Sequence, residues 1–334
     1  MASKQGRTAR RTAFTRTRRA VGARALEMVF AWVITEREHT GPAWNSTGDF
    51  LTLARDGAMV YGWHWHPPAH RNGTIILVHG FRQHCGRSDY WNLLRDLCPV
   101  RGMAAAALDL RHHGNSGNAI PTFGTAEAWD IAALLDELEL RASPRPFVLI
   151  GDSLGGMAVQ CLARDDHRVD AAACLHTPGW PRLAVRVAVG RRMGPVRRLL
   201  HLPAVQGSAI AAGVIDMLYG LPVLELGDLR SGHLSPAWRP PLLYVMGDED
   251  QYGIRNTHTI WERWYPGEPA HAELRPSRAR AQNKWFITVK GAGHPGDHPS
   301  TVFDWKGLRP LLGEFIDVAL ERAKNGREGS GKGR

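Results

Sequence analysis

Ser153 sits in the run Gly151-Asp152-Ser153-Leu154-Gly155-Gly156, between the apolar stretch Phe147-Val-Leu-Ile150 and a stretch of helical character over 154–164. A serine flanked by glycines at a strand-to-helix turn can project its hydroxyl above the strand ends. Only small neighbours fit so sharp a turn, and the helix N-terminus favours negative charge developing beside it. A serine hydroxyl is a poor nucleophile at neutral pH. It needs a base to take its proton and an acid to orient that base. The chain supplies both in order: Val245-Met-Gly247-Asp-Glu-Asp250 follows one apolar run, and Gly291-Ala-Gly-His294-Pro295 follows the last. The pattern makes Ser153 the candidate nucleophile and His294 the candidate base. Asp248 and Asp250 both follow the same run, so the residues alone leave the acid open between them. Attack on an acyl carbon also needs backbone N–H donors for the oxyanion. Leu154, next after the serine, offers one, and Phe81, in the loop after Leu77-Val-His79-Gly80, offers the other.

These groups need strands to carry them. Residues 48–53 and 59–65 read as a hairpin around the tight-turn signal Asp56-Gly57. Short apolar runs at 74–78, 147–150, 169–175, 242–246 and 285–289 read as buried parallel strands. The alanine run 103–108 reads as another, although alanine alone fits a helix equally. Helical patterns intervene at 89–97, 125–140 and 154–164, and a closing helix contains Val318. Such alternation predicts a mostly parallel sheet of about eight strands, covered by helices on both faces. Each candidate residue then falls at the C-terminal edge, where open parallel sheets place their sites. Residues 177–238 break the rhythm and read as a helical cap insertion. The expected organisation is a basic extension over 1–45 with a helix at 21–37, a domain over 46–324, and a flexible Gly-rich tail over 325–334.

Composition narrows the partners. The net charge is +10, but residues 1–24 hold eight basic groups and no acid, and residues 321–334 hold five against two acids. Taking both tails from the 42 basic and 32 acidic residues leaves 29 and 30 for 25–320. A neutral body argues against nucleic acid bound on the folded surface. The arm reads as a solvated tail, with weak contact to an anionic membrane surface, through arm and cap, as the alternative. An organellar presequence is a minor reading of the same arm; Arg24 and Glu27 interrupt any apolar core of an export signal. The four cysteines form no CxxC pair, so neither a disulfide framework nor a metal site is expected. Reduced thiols fit a cytoplasmic protein. No cofactor is called for, and the sequence sets no oligomeric state.

Four motifs in order resemble the α/β-hydrolase superfamily: His79-Gly80-Phe81, Asp109-Leu-Arg-His-His-Gly-Asn-Ser-Gly117, residues 151–156, and Gly247-Asp-Glu-Asp250 with Gly293-His294. More narrowly they look like its capped esterase, lysophospholipase and monoacylglycerol-lipase-like branch, over residues 48–322. The resemblance implies an α/β-hydrolase fold and a Ser-His-Asp triad cleaving a carboxylic ester. It places the acid three residues after the loop glycine, at Asp250. It makes 109–117 a structural turn, with His112 and His113 as scaffold, and it assigns Asp152 no role. Acyl transfer, thioester cleavage and peptide cleavage by the same triad are the alternatives. A non-catalytic binding protein would need a missing triad member, and none is missing. Dehalogenases and epoxide hydrolases of this superfamily use an aspartate where Ser153 stands. The cap, with apolar residues such as Trp180, Leu183, Leu199, Ile215 and Leu218, implies an apolar pocket for a small-molecule acyl ester.

Overall fold

A computed structural model describes residues 48–66, 71–178, 240–250, 252 and 284–330. Eight strands form one sheet: β1 (Gly48–Leu53), β2 (Met59–Trp65), β3 (Thr74–Val78), β4 (Ala104–Asp109), β5 (Phe147–Asp152), β6 (Val169–Leu175), β7 (Leu242–Gly247) and β8 (Lys284–Val289). Their spatial order is β1-β2-β4-β3-β5-β6-β7-β8. The hairpin is antiparallel and joins β4 antiparallel; every later pairing is parallel. This is the mostly parallel eight-stranded sheet that the sequence pattern predicts.

Among the described residues four helices pack on it: α1 (Ser88–Arg101), α2 (Thr125–Leu140), α3 (Leu154–Asp165) and α4 (Leu308–Ser330). Alternation along each strand feeds two cores. Ile76 and Val78 of β3 join Leu149 of β5 and, from α2 and α3, Ile131, Leu134 and Val159. Ile75 and Leu77 face the other way, with Val148 and Ile150, against Leu94 of α1 and Leu312 and Phe315 of α4. A strand buried on both faces has no polar side, so these runs read as unbroken apolar stretches.

The alanine run is β4, fully buried. It lies between β2 and β3, where neighbours on both edges supply its hydrogen bonds and methyl side chains let bulkier groups approach. Helix α1 runs beyond the expected 89–97, through Pro99, and stops where Gly102 takes a left-handed conformation at φ 60°. Helix α4 continues to Ser330, past the expected start of the tail at 325. The extension 1–45, its helix at 21–37, and all of the expected cap except residues 177 and 178 lie outside the described residues. No helix among the described residues is long and apolar enough to cross a membrane.

Candidate active site

Ser153 joins the end of β5 to α3 with φ 48° and ψ −107°. A residue with a Cβ held there costs about 1–3 kcal/mol, so the surroundings must impose it. Packing does so. A Cβ on Gly151 would strike the backbone of Gly155, and one on Gly155 would strike the carbonyl groups of Val78 and His79. The turn is also pinned by Ser153 N–H donating to the Leu175 carbonyl at 2.8 Å.

His294 stands in the loop after β8, with Ser153 Oγ 2.9 Å from its Nε2. Its Nδ1 is 2.9 Å from Asp250 Oδ2. An ionised carboxylate only accepts, so Nδ1 carries the proton and Nε2 is free to accept the serine's. Asp250 is fully buried, and its Oδ1 accepts Tyr252 N–H at 2.9 Å. The Tyr252 ring packs 4.1 Å from the imidazole. Asp248 is exposed and turned away, accepting Gly291 N–H at 2.7 Å. Of the two candidate acids, Asp250 is the one on the histidine. Ser153 and His294 are largely buried, at 9% and 8% exposure.

The loop after β3 is fixed by His79. Its Nε2 accepts Leu110 N–H at 2.9 Å, so its proton lies on Nδ1, 2.7 Å from the Gly80 carbonyl. Burial holds His79 below the ordinary histidine range, which keeps it neutral in this role. Phe81 packs between the rings of His113 and Phe123, at 5.7 and 5.4 Å. Because Gly155 lies against Val78 and His79, the two candidate oxyanion donors, Phe81 and Leu154, belong to segments in direct contact. His112 and His113 are buried in the turn after β4. There His112 N–H donates to Gly117 and His113 Nδ1 lies 2.8 Å from the Arg111 carbonyl.

Three residues near the site had no role in the sequence reading. Asp152, Tyr90 and His176 form a buried cluster directly behind Ser153. The available signal was a histidine at the end of β6, one more ionisable group at the functional edge. Among the described residues no group of three or more His, Cys, Asp or Glu is arranged to hold a metal. The four cysteines are free and buried. Burial pushes the Cys161 and Cys174 thiols up to about 12, so neither is a thiolate at neutral pH.

A strained serine turn at the end of a central parallel strand, with a histidine and an acid at the ends of later strands, is the arrangement of the α/β-hydrolase fold. Comparison with known proteins agrees. The family model described as serine aminopeptidase, S33, matches residues 69–205. An esterase from Pyrococcus furiosus superposes with a TM-score of 0.58 at 16% identity, over 84% of this chain and 98% of that one. Mouse alpha/beta hydrolase domain-containing protein 10 gives 0.55 at 15% identity, over 83% and 100%. Est1E of Butyrivibrio proteoclasticus with ferulic acid bound gives 0.53 at 16%, over 81% and 100%. No curated protein matches the sequence. The chain has the α/β-hydrolase fold, and its residues 69–205 match a family model of serine hydrolases of that fold.

Proposed function

We propose that the chain cleaves a carboxylic ester through an acyl-enzyme on Ser153. His294 takes the serine proton as Oγ attacks the acyl carbon, then gives it to the departing alcohol. Asp250 holds the imidazole in the tautomer this requires. The N–H groups of Phe81 and Leu154 receive the oxyanion, where donors fixed before the reaction cost no reorganisation during it. Water, activated by the same histidine, then releases the acid. The observation that carries this reading is the unbroken relay Ser153–His294–Asp250, with both contacts at 2.9 Å.

The substrate class rests on residues 177–238, a largely apolar sequence whose Arg, Lys, Asp and Glu residues are seven arginines and three acids. It favours an uncharged, apolar acyl ester, with a monoacylglycerol or lysolipid as natural examples. The P. furiosus and B. proteoclasticus neighbours carry esterase-type names, which supports ester over amide. The matching family model is described as an aminopeptidase, and this favours a second reading, cleavage of amides beside a free amine. Such a substrate calls for acids around its ammonium group, and Asp216, Glu225 and Asp228 are the only ones in that segment.

p-Nitrophenyl esters of graded chain length, beside aminoacyl p-nitroanilides, with Ser153→Ala as control, test both. Each buried methylene contributes up to about 0.8 kcal/mol, so kcat/KM climbs with chain length to a limit. A preference for acetate, or faster turnover of the anilides, overturns the apolar-ester reading.

A further inference from the structure

Behind Ser153 lies a second buried carboxylate. Asp152 ends β5 at 2% exposure. Its Oδ1 accepts from His176 Nδ1 at 2.9 Å and its Oδ2 from the Tyr90 hydroxyl at 2.6 Å. Each partner holds a different wall of the site. Tyr90, on α1, stands 3.3 Å from Gly80 N–H and against the Gln83 side-chain oxygen, which itself accepts Gly80 N–H at 2.9 Å. It thereby fixes the loop that carries Phe81. His176, at the end of β6, accepts Val302 N–H at 3.0 Å on Nε2 and so fixes the chain that follows His294.

The hydrogen bonds also settle the charge. A backbone N–H only donates, so His176 Nε2 is unprotonated and the ring is neutral. The Asp152–His176 pair therefore carries one negative charge. The His176 ring lies 5.8 Å from that of His294. The ionisable groups facing Asp152 are Tyr90 of α1 and Arg87 just before it, His79 after β3, His176 after β6 and His294 after β8. Burial works to raise the Asp152 carboxyl; the bonds from His176 and Tyr90, with the influence of His294, outweigh it and hold the group below the ordinary carboxylate range. His294 in turn faces Asp250, Ser153, His176, Tyr252 and this second anion.

We infer that Asp152 is a positioning residue of the triad: one buried carboxylate ties the oxyanion loop and the His294 loop to the nucleophile turn, and adds a second negative charge beneath the imidazole. The inference rests on the reading of Ser153 as nucleophile. The imidazole becomes a cation as Ser153 attacks, so an anion fixed nearby acts more strongly in the transition state than before it.

Asp152→Asn separates charge from frame. His176 Nε2 is committed to Val302, so the amide oxygen must face His176 Nδ1–H. The amide NH2 then meets the Tyr90 oxygen, which accepts it while donating its own proton to Gln83. The test is the rate of Ser153 labelling by a fluorophosphonate against pH, a readout that needs no natural substrate, with thermal melting alongside. Asp152→Asn melts within about 5 °C of wild type. Without the anion the imidazole protonates less readily, so the acidic limb of the profile moves down by about one pH unit. The plateau rate falls about tenfold. Tyr90→Phe keeps the charge and leaves the limb in place, but slows the plateau about fivefold as the oxyanion loop loosens. An Asp152→Asn limb that overlays wild type overturns the charge role, and Tyr90→Phe labelling at the wild-type rate overturns the loop role, even if the asparagine variant fails to fold. Wild-type protein that takes no label refutes the Ser153 reading and this inference with it.

Discussion

Asp250→Asn tests the relay more sharply than removal of the serine, because it changes one atom and leaves the volume alone. In the native site two donors face the carboxylate: Tyr252 N–H on Oδ1 and His294 Nδ1–H on Oδ2, each at 2.9 Å. An asparagine offers one oxygen and one NH2. The backbone N–H cannot change its role, so the oxygen stays with Tyr252 and the NH2 turns to His294. The imidazole answers by moving its proton to Nε2, where it faces Ser153 Oγ at 2.9 Å and can no longer accept. The orienting acid is then replaced by a group that selects the wrong tautomer, a change that costs on the order of 10³–10⁴ in kcat. That equals about 4–5.5 kcal/mol of lost transition-state stabilisation. KM moves little, because the acyl group does not meet this side chain. Asp248→Asn is the control: its oxygen still accepts Gly291 N–H, and activity stays within about threefold of wild type. The assay is kcat and KM on the best p-nitrophenyl ester, with melting curves to show that both variants fold. Asp250→Asn within tenfold of wild type, or a comparable loss in Asp248→Asn, refutes the tautomer argument.

Gly155→Ala drives a methyl group into the Val78 and His79 carbonyls, and since neither is a movable side chain the variant loses about 3 kcal/mol in urea unfolding; wild-type stability would show that the elbow is looser than its packing implies. Arg111 is fully buried and pairs with Asp130 at 2.6 Å, also fully buried, and with Asp56 at 2.7 Å, so Arg111→Met costs about 3–5 kcal/mol by stranding a charge, while Arg111→Met with Asp130→Leu recovers most of it. Burial, against the pull of Arg111, already raises the Asp130 carboxyl to about 6 from 3.8. An acid raised on folding is a cost that sets in as pH climbs through its unfolded value and is complete above its folded one. The Arg111→Met deficit must therefore shrink between pH 8 and pH 5, and a pH-independent deficit counts against a stranded charge.

The parallel core of the sheet was legible because its central strands are buried on both faces. Thr74–Val78, Phe147–Asp152 and Val169–Leu175 appear in the sequence as the short apolar runs they form in space. Where local pattern and tertiary setting part, legibility ends. Ala104–Asp109 is a strand only because β2 and β3 flank it; methyl groups by themselves carry no preference for a sheet. The choice between Asp248 and Asp250 was of the same kind. Both follow β7, and a strand period of two would put them on one face. The turn closed by Asp250 N–H on the Gly247 carbonyl parts them, sending one into the core and the other to solvent.

Ser153 and Asp152 adjoin in the chain, yet one could be read from sequence and the other could not. A serine held at a strained turn constrains its own neighbours: Gly151 and Gly155 are small because a Cβ there would meet backbone, and that demand is written within a few residues. The demand on Asp152 is met elsewhere, by Tyr90 at a separation of 62 residues and His176 at 24. Both lie beside it only because β3 and β6 are the strands that flank β5. Arg111 and Asp130 are hidden in the same way, since nothing local tells a buried arginine from a solvated one. Steric needs of a backbone turn are local and leave motifs. The electrostatic needs of a buried charge are satisfied across the fold, and they become visible only when the strand order does.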